Sequence, residues 1–134
     1  KNSLRFKNKL REKIFKNNKN IKKLEMLIHP LVRKEMKKFS LLNKNKKTIF
    51  YEIPLLIESK LMRYFDVIIF IKAKKKIRLK RFVEKGGDKK LFDLLDKKQM
   101  NDVKKIKYCD HVAVNEKNLN ILKKRLLDII NLYV

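Results

Sequence analysis

The chain has 134 residues, 44% of them hydrophobic, so it can form one domain or part of one and is not disordered overall. Its 38 basic residues outweigh 14 acidic ones and give a formal net charge of +24. The single cysteine, Cys109, excludes an internal disulfide and fits a reducing compartment. No apolar run approaches the roughly 18 residues of a membrane span. We therefore expect a cytoplasmic protein with no membrane partner.

The positive charge has two interpretations. Clustered Lys and Arg neutralise nucleic-acid phosphates, which makes a basic nucleic-acid-binding α/β domain one candidate. However, only seven of the basic residues are Arg, and the Lys residues are spread along the whole chain among many Asn and Ile, as an AT-rich coding sequence would produce. This distribution favours a solvated basic surface that attracts anions such as nucleotides, and we expect no specific nucleic-acid partner.

The first third of the chain has apolar residues at helical spacing. The pattern predicts one helix over residues 3–15 and a second over residues 21–28. Pro30 is expected to end the second helix, because a proline disfavours the helical conformation in the residue before it. The same proline is expected to begin a third helix that reaches about Leu42.

The pattern then changes from helices alone to strands alternating with helices. Residues 48–53 are rich in β-forming side chains and stop at Pro54, which predicts a short strand. Residues 66–71 contain a continuous apolar run from Val67 to Ile71, typical of a strand buried on both faces of a parallel sheet. A helix over residues 55–65 between them would complete a βαβ crossover.

The second half of the chain continues this alternation. A helix is predicted over residues 74–84, and Gly86-Gly87 interrupts it. Asp88 is expected to cap a further helix that runs to about Met100. A third strand over residues 111–114 and an amphipathic helix over residues 119–132 complete the pattern. Strands alternating with helices indicate an α/β fold with a largely parallel sheet.

Four segments occur in a fixed order between Leu10 and Leu126. They are LREKIF at 10–15, LEMLIHPLV at 24–32, IPLLIE at 53–58 with FDVI at 65–68, and Gln99 with CDHV at 109–112 and Asn115. Together they resemble the dephospho-CoA kinase family, which carries L-R-x-x-[IV]-F, L-E-x-x-x-H-P-x-[VI], P-L-L-[FV]-E and Q…A-D-x-[VI]-x-N. Each motif alone is weak, whereas the ordered set at these spacings is specific.

The resemblance implies a P-loop kinase of the nucleoside-monophosphate-kinase type. Such an enzyme transfers the γ-phosphate of ATP to the 3′-hydroxyl of dephospho-CoA, the last step of coenzyme A biosynthesis, and uses Mg²⁺. It also implies one partial domain over residues 1–134, with a helical CoA-substrate region at 1–46 and an α/β kinase core at 47–134. The core would carry a lid around residues 81–98. Another P-loop nucleotide kinase is an alternative, although the L-E-x-x-x-H-P and P-L-L-x-E segments argue against it.

On the ATP side, the resemblance points to three residues. Arg81 matches a lid arginine that contacts ATP phosphates, and a guanidinium suits the charge that builds on phosphoryl oxygens during transfer, so Arg81 is the catalytic candidate. Lys85 matches a second basic lid position. Asn115 follows the third predicted strand, in the turn that the family uses against adenine. The structural alternatives are a solvated helix residue for Arg81 and a turn former for Asn115.

On the substrate side, the resemblance points to three more residues. His29 lies in the segment that the family places around the CoA substrate, and Arg11 shares that region and would meet a CoA phosphate. Glu58 follows the first predicted strand, and ligands of open α/β sheets bind outside the carboxyl ends of strands. The structural alternatives are a turn cap for His29, a surface ion pair for Arg11 and a purely structural role for Glu58. None of these residues is expected to bind a metal.

The sequence contains no G-x-x-x-x-G-K-[ST] motif, because its only glycines are the adjacent Gly86 and Gly87. In the family, the P-loop cradles phosphates with backbone N–H groups, and an acidic motif after it supplies the expected general base. We expect both to precede Lys1 in an N-terminally truncated chain. The 134 residues alone are then expected to be inactive. They are also expected to be poorly stable, because the predicted strands at 48–53 and 66–71 would lack the strand between them.

Overall fold

The structure is a computed structural model that describes residues 18–134 of the chain. The chain divides into two units, Lys1–Phe50 and Tyr51–Val134. The helix predicted over residues 3–15, together with Arg11, lies outside the described residues.

The described part of the first unit is dominated by one long helix, α1, which spans Asn18–Leu42 with Pro30 inside it. The prediction of two helices separated at Pro30 was therefore wrong. A proline inside a helix removes one backbone hydrogen bond, here the bond to the carbonyl of Met26. Met26 is 67% exposed and Pro30 is also exposed, so water can hydrate that carbonyl and the helix continues.

The strand predicted over residues 48–53 is absent from the structure, which has no regular secondary structure there. A strand forms only where its N–H and C=O groups find a partner strand. Within residues 18–134, the two strands that exist pair with each other. The side chains of residues 48–53 favour a strand locally, but neither of the two strands among residues 18–134 pairs with this segment.

The helix predicted over residues 55–65 is reduced to a single turn. The N–H of Ser59 donates to the Leu55 carbonyl at 2.9 Å and closes that turn. Lys60 then adopts a left-handed conformation with φ of 55°, and its N–H and the next one bond back to the turn as in a Schellman motif. A 3₁₀ helix over Met62–Tyr64 follows. The left-handed residue explains why the helical pattern does not become a full helix.

A parallel two-stranded sheet forms the centre of the second unit. Strand β1 spans Ile69–Lys72 and strand β2 spans His111–Val114, with Ile69 opposite His111 and Lys72 opposite Val114. The parallel α/β architecture and the strand at 111–114 are therefore confirmed, and the strand predicted at 66–71 is confirmed in a shorter form. Ile71 is 42% exposed, so β1 is not buried on both faces as predicted.

Four helices flank this sheet. Helix α2 spans Lys75–Glu84, α3 spans Lys89–Asp96, α4 spans Asp102–Ile106 and α5 spans Leu119–Ile130. The helices predicted over 74–84 and 119–132 are confirmed to within two residues at each end. Among residues 18–134, no helix is long and apolar enough to cross a membrane.

The helix predicted from Asp88 to about Met100 is shorter in the structure, and a separate helix begins after that range. Its start is confirmed, because the Asp88 carboxylate accepts a hydrogen bond from the Leu91 N–H at 2.9 Å. Its end was wrong, because α3 stops at Asp96 and the Asn101 side chain caps the new helix α4. A second capping residue so soon after the first favours two short helices over one long helix.

The core of the second unit is small. Its buried hydrophobic residues come from the turn at 54–60 and the residue after it, the residue after β1, and α3, β2 and α5: Ile57, Leu61, Ala73, Phe92, Ala113 and Ile129. Helix α5 packs against β2, and α4 packs against β1.

Candidate functional site

The carboxyl ends of the two strands lie side by side at one edge of the sheet. Lys72 ends β1, Val114 ends β2, and the N–H of Asn115 donates to the Lys72 carbonyl at 2.8 Å. Ligands of α/β proteins bind outside the carboxyl ends of parallel strands, because the loops that follow the strands converge there. This edge is therefore the candidate functional site of the second unit.

Two of the predicted ATP-binding residues meet at this edge. Nη1 of Arg81, in α2, donates a hydrogen bond to the backbone carbonyl oxygen of Asn115 at 2.9 Å, in a partly buried position. Sequence reasoning proposed both residues separately and did not anticipate their contact. The backbone of Asn115 is consequently held on both sides, by β1 at its N–H and by α2 at its carbonyl.

The next residue of the turn, Glu116, is also tied to the end of β1. Its Oε1 accepts a hydrogen bond from the Lys74 N–H at 3.2 Å, and its Oε2 lies 3.1 Å from Lys74 Nζ. Sequence reasoning missed this pair. In the sequence, the pair is marked only by position: Glu116 comes directly after Asn115 in the turn that follows β2, and Lys74 lies just after β1.

Two buried side-chain oxygens among residues 18–134 have no hydrogen-bond partner, Oε2 of Glu58 and Oδ1 of Asn115. Oδ1 is buried, and no hydrogen-bond donor among residues 18–134 reaches it. A buried acceptor left unpaired costs about 1–3 kcal/mol, so native proteins usually satisfy such groups with water or a ligand. Oδ1 has almost no accessible surface in this structure, so the turn would have to shift before a bound molecule could reach it.

A second arginine of α2 fixes the helix against its neighbours. Nε of Arg78 donates to the Ala73 carbonyl at 3.1 Å, and its Nη1 lies 2.7 Å from Oδ1 of Asp96 in α3. Lys75 Nζ contacts the other Asp96 oxygen at 2.9 Å. Burial tends to raise the pKa of Asp96, but the hydrogen bonds and charges of Lys75 and Arg78 outweigh it and hold that pKa below its ordinary value.

Lys85 stands at the carboxyl end of α2. Its N–H donates to the Arg81 carbonyl at 3.3 Å, and its side chain is exposed. It lies four residues after Arg81, so both residues occupy the same side of the helix. Gly86 follows with φ of 81°, a left-handed conformation that ends α2.

Glu58 lies in a different set of contacts. Its Oε1 accepts a hydrogen bond from the Met100 N–H at 2.6 Å and lies 3.1 Å from Nζ of Lys105 in α4. Burial tends to raise the pKa of Glu58. Its hydrogen bonds with the Met100 N–H, its own N–H and the Lys105 ammonium outweigh burial and lower that pKa below its ordinary value. Glu58 therefore anchors the turn at 54–60 to α4.

His29, the remaining described candidate, is half-buried in α1 of the first unit. The structure thus brings Arg81 and Asn115 together, places Lys85 at the C-cap of the helix that carries Arg81, and puts Glu58 in an ion pair with Lys105. No sequence motif marked Lys105. Arg78 had a usable signal, because it precedes Arg81 by three residues and so shares a helix face with it.

The dephospho-CoA kinase family model matches residues 4–120 of the chain, which is more than half of its length. This chain belongs to the dephospho-CoA kinase family. The matched range includes every candidate residue from Arg11 to Asn115, and it ends inside α5.

Individual dephospho-CoA kinases show the same similarity. The protein from Fusobacterium nucleatum is 32% identical over 122 residues, which are 88% of this chain and 61% of that protein. The protein from Blochmanniella pennsylvanica is 33% identical over 113 residues, 83% of this chain and 53% of that protein. The protein from Bartonella henselae is 30% identical over 125 residues, 91% of this chain and 64% of that protein. The chain therefore spans less than two thirds of the length of these dephospho-CoA kinases.

Proposed function

We propose that this chain is part of a cytoplasmic dephospho-CoA kinase, which transfers the γ-phosphate of ATP to the 3′-hydroxyl of dephospho-CoA in the last step of coenzyme A biosynthesis. The observation that carries the proposal is the family match over residues 4–120. The contact between Arg81 and Asn115 at the carboxyl edge of the sheet supports the ATP-binding half of it.

In this proposal, the second unit binds ATP. Asn115 faces the adenine base, while Arg81 and Lys85 contact the phosphates. A guanidinium has five N–H donors, so Arg81 keeps donors for phosphate oxygens after the bond from Nη1 to Asn115. Its positive charge would oppose the negative charge that builds on the transferred phosphoryl group. The net charge of +24 would also favour the approach of anionic substrates.

The dephospho-CoA side of the proposal involves Arg11, His29 and Glu58. Arg11 would pair with a CoA phosphate, and His29 would position the substrate. Glu58 would shape the substrate wall through the turn that it anchors to α4, since its Oε1 is engaged by Met100 and Lys105.

Mg²⁺ would neutralise phosphate charge in the bound nucleotide. Among residues 18–134, no three His, Cys, Asp or Glu side chains cluster to hold a metal, so these residues do not fit a protein-only Mg²⁺ site. Proteins commonly hold Mg²⁺ by one or two carboxylates together with substrate phosphates.

The test is an acceptor panel with the full-length protein. Coenzyme A formation from dephospho-CoA and ATP is expected, with little phosphorylation of adenosine or of nucleoside monophosphates. The 134 residues alone are the matched negative control, because they contain no P-loop. Phosphorylation of a nucleoside monophosphate in preference to dephospho-CoA would show a nucleotide kinase of another kind and would overturn the proposal.

A further inference from the structure

We propose that a clasp formed by Lys75, Arg78 and Asp96 joins α2 and α3 into one rigid arm, which does not bend at Gly86-Gly87. Two adjacent glycines between helices resemble a hinge, because glycine adopts many backbone conformations and small residues often absorb domain movements. The contacts around α3 argue against a hinge at this place. The inference goes beyond the proposed kinase activity and does not depend on it, since it concerns contacts within the second unit alone.

Helix α3 owes its position to α2. Among the elements of the second unit, α3 packs mainly against α2. Its one buried side chain, Phe92, is 6% exposed, and its ring centroid lies 5.8 Å from that of Phe82 in α2. Lys75 Nζ and Arg78 Cζ lie 5.9 and 5.8 Å from the centroid of the same ring, within the range of a cation–π interaction. The interactions with α2 therefore decide where α3 lies.

The clasp uses both oxygens of the Asp96 carboxylate. Nη1 of Arg78 lies 2.7 Å from Oδ1, and Nζ of Lys75 lies 2.9 Å from Oδ2. Arg78 is itself fixed, because its Nε donates to the Ala73 carbonyl at 3.1 Å. The Asp96 side chain is 16% exposed, and salt screens such partly buried pairs much less than exposed ones.

The place of the clasp matters as much as its strength. Asp96 is the last residue of α3, and Lys75 is the first residue of α2. The clasp thus joins the two helix ends that lie farthest along the chain from the glycine turn. A bend at that turn would separate these ends more than any other part of the helices, so the clasp opposes the bend where its displacement is largest.

The two glycines serve a tight turn. Gly86 has a φ of 81°, and its N–H donates to the Val83 carbonyl at 2.8 Å. The N–H of Gly87 donates to the Phe82 carbonyl at 2.9 Å, the long bond of a Schellman motif. Gly87 also lies so close to the Phe82 ring that a Cβ would collide with it. Glycine is therefore required here by the left-handed conformation and the close approach, and the turn is held by its own hydrogen bonds.

The rigid arm has a consequence for the candidate site. Arg81 lies on α2 and Lys85 at its C-cap, so both residues belong to the arm. A movement of α3 relative to the sheet must then carry both of them. It must also strain or break the hydrogen bond from Arg81 Nη1 to the Asn115 carbonyl.

The test measures the distance between two spin labels by electron paramagnetic resonance in the full-length protein. The labels are attached at Lys76→Cys in α2 and Lys97→Cys directly after α3, both exposed positions, in a background with Cys109→Ala and no other cysteine. With the clasp intact, we expect a single narrow distance distribution that ATP does not change. Asp96→Asn should add a longer distance and raise its population by about tenfold or more, the effect of losing one charged hydrogen bond.

The matched control is Glu84→Gln, which removes the same charge next to the glycine turn but outside the clasp. Glu84 is 58% exposed, and its Oε1 lies 3.9 Å from Lys80 Nζ. Because exposed pairs of this kind contribute little, the label distance in Glu84→Gln should equal that of the protein with an intact clasp.

The possible results separate the clasp from the proposed function. Two distances with the clasp intact, or one that shifts when ATP binds, would show that the arm bends and would overturn the inference. So would an Asp96→Asn distribution equal to that of Glu84→Gln. If circular dichroism shows that Asp96→Asn does not fold, Arg78→Gln breaks the same bond from α2 and should add the same longer distance; an unchanged distance would again overturn the clasp. Failure to bind ATP would count against the proposed function, while the variants compared without ATP would still decide the clasp.

Discussion

The ion pair between Glu58 and Lys105 gives the strongest prediction for stability. The two side chains are 16% and 8% exposed, and Nζ lies 3.1 Å from Oε1. The variant Glu58→Gln keeps an amide oxygen that can accept the Met100 hydrogen bond but removes the charge. Lys105 is then left as a buried cation without the carboxylate that pairs with it.

The magnitude follows from this burial. Removing one partner of a buried ion pair typically costs about 3–5 kcal/mol, because the other charge stays desolvated. Glu58 retains some access to water, so we expect a loss near the lower end, about 3 kcal/mol in the free energy of unfolding. The double variant Glu58→Gln with Lys105→Met should lose less than Glu58→Gln alone, because no unpaired charge remains.

The pH dependence of stability has a defined sign. The folded-state pKa of Glu58 lies below its ordinary value of 4.5. The pair therefore contributes fully above about pH 4.5, and its contribution is lost as the pH falls through the lowered folded-state pKa. In Glu58→Gln, this acid-dependent part of the stability should disappear.

Urea denaturation of the full-length protein measures these differences directly. The control is Glu52→Gln, since Glu52 is an exposed carboxylate, and its free energy of unfolding should stay within about 0.5 kcal/mol of the wild type. Equal stabilities for Glu58→Gln and Glu52→Gln would refute the argument from burial.

Three further variants test other parts of the second unit. Asp96→Asn should cost about 1–3 kcal/mol, because it weakens the charged hydrogen bond that Arg78 makes between α2 and α3, and denaturation at pH 7 should show it. Asp88→Ala should cost about 1 kcal/mol through the lost cap of α3, whereas Asp88→Asn should be nearly neutral in the same assay. Gly87→Ala should lower the thermal midpoint and cost about 1–3 kcal/mol, since the added Cβ would collide with the Phe82 ring; an unchanged midpoint would show that the ring moves freely.

Local signals in the sequence predicted the elements that depend on local interactions. Asp88 caps α3 because its side chain reaches an N–H three residues on, and Gly86 ends α2 because it adopts a left-handed conformation at little cost. The strand at 111–114 was likewise marked by a short apolar run. The cap and the helix end involve neighbours in the sequence, so the residue types alone were sufficient, whereas the strand also needs its pairing with β1.

The errors arose where tertiary context decides the outcome. Pro30 did not end α1, because the carbonyl that it leaves free lies on an exposed turn. The segment at 48–53 has suitable side chains but no pairing partner within residues 18–134. Nothing in the sequence near Lys60 indicates the left-handed conformation that ends the turn at 54–60.

The candidate site shows the same difference between features that local sequence indicates and features that tertiary structure decides. Arg81 and Asn115 were proposed from the family resemblance. Because β1 and β2 are parallel, the turns that follow the two strands lie at the same edge of the sheet. Their direct hydrogen bond depends on the distance between α2 and the turn, which no pattern encodes. Lys105 was missed because lysines occur throughout this chain, and its burial, which sets it apart from the other lysines whose burial the structure describes, is not visible in the sequence.

The most direct test of the central claim is the identity of the product. The full-length protein would be incubated with dephospho-CoA and ATP, and the product examined by ³¹P nuclear magnetic resonance. We predict a new phosphomonoester signal from a phosphate on the ribose 3′-oxygen, at a yield that depends on ATP. A product phosphorylated at another position, or the absence of any new phosphomonoester while the protein binds ATP, would contradict the assignment as a dephospho-CoA kinase.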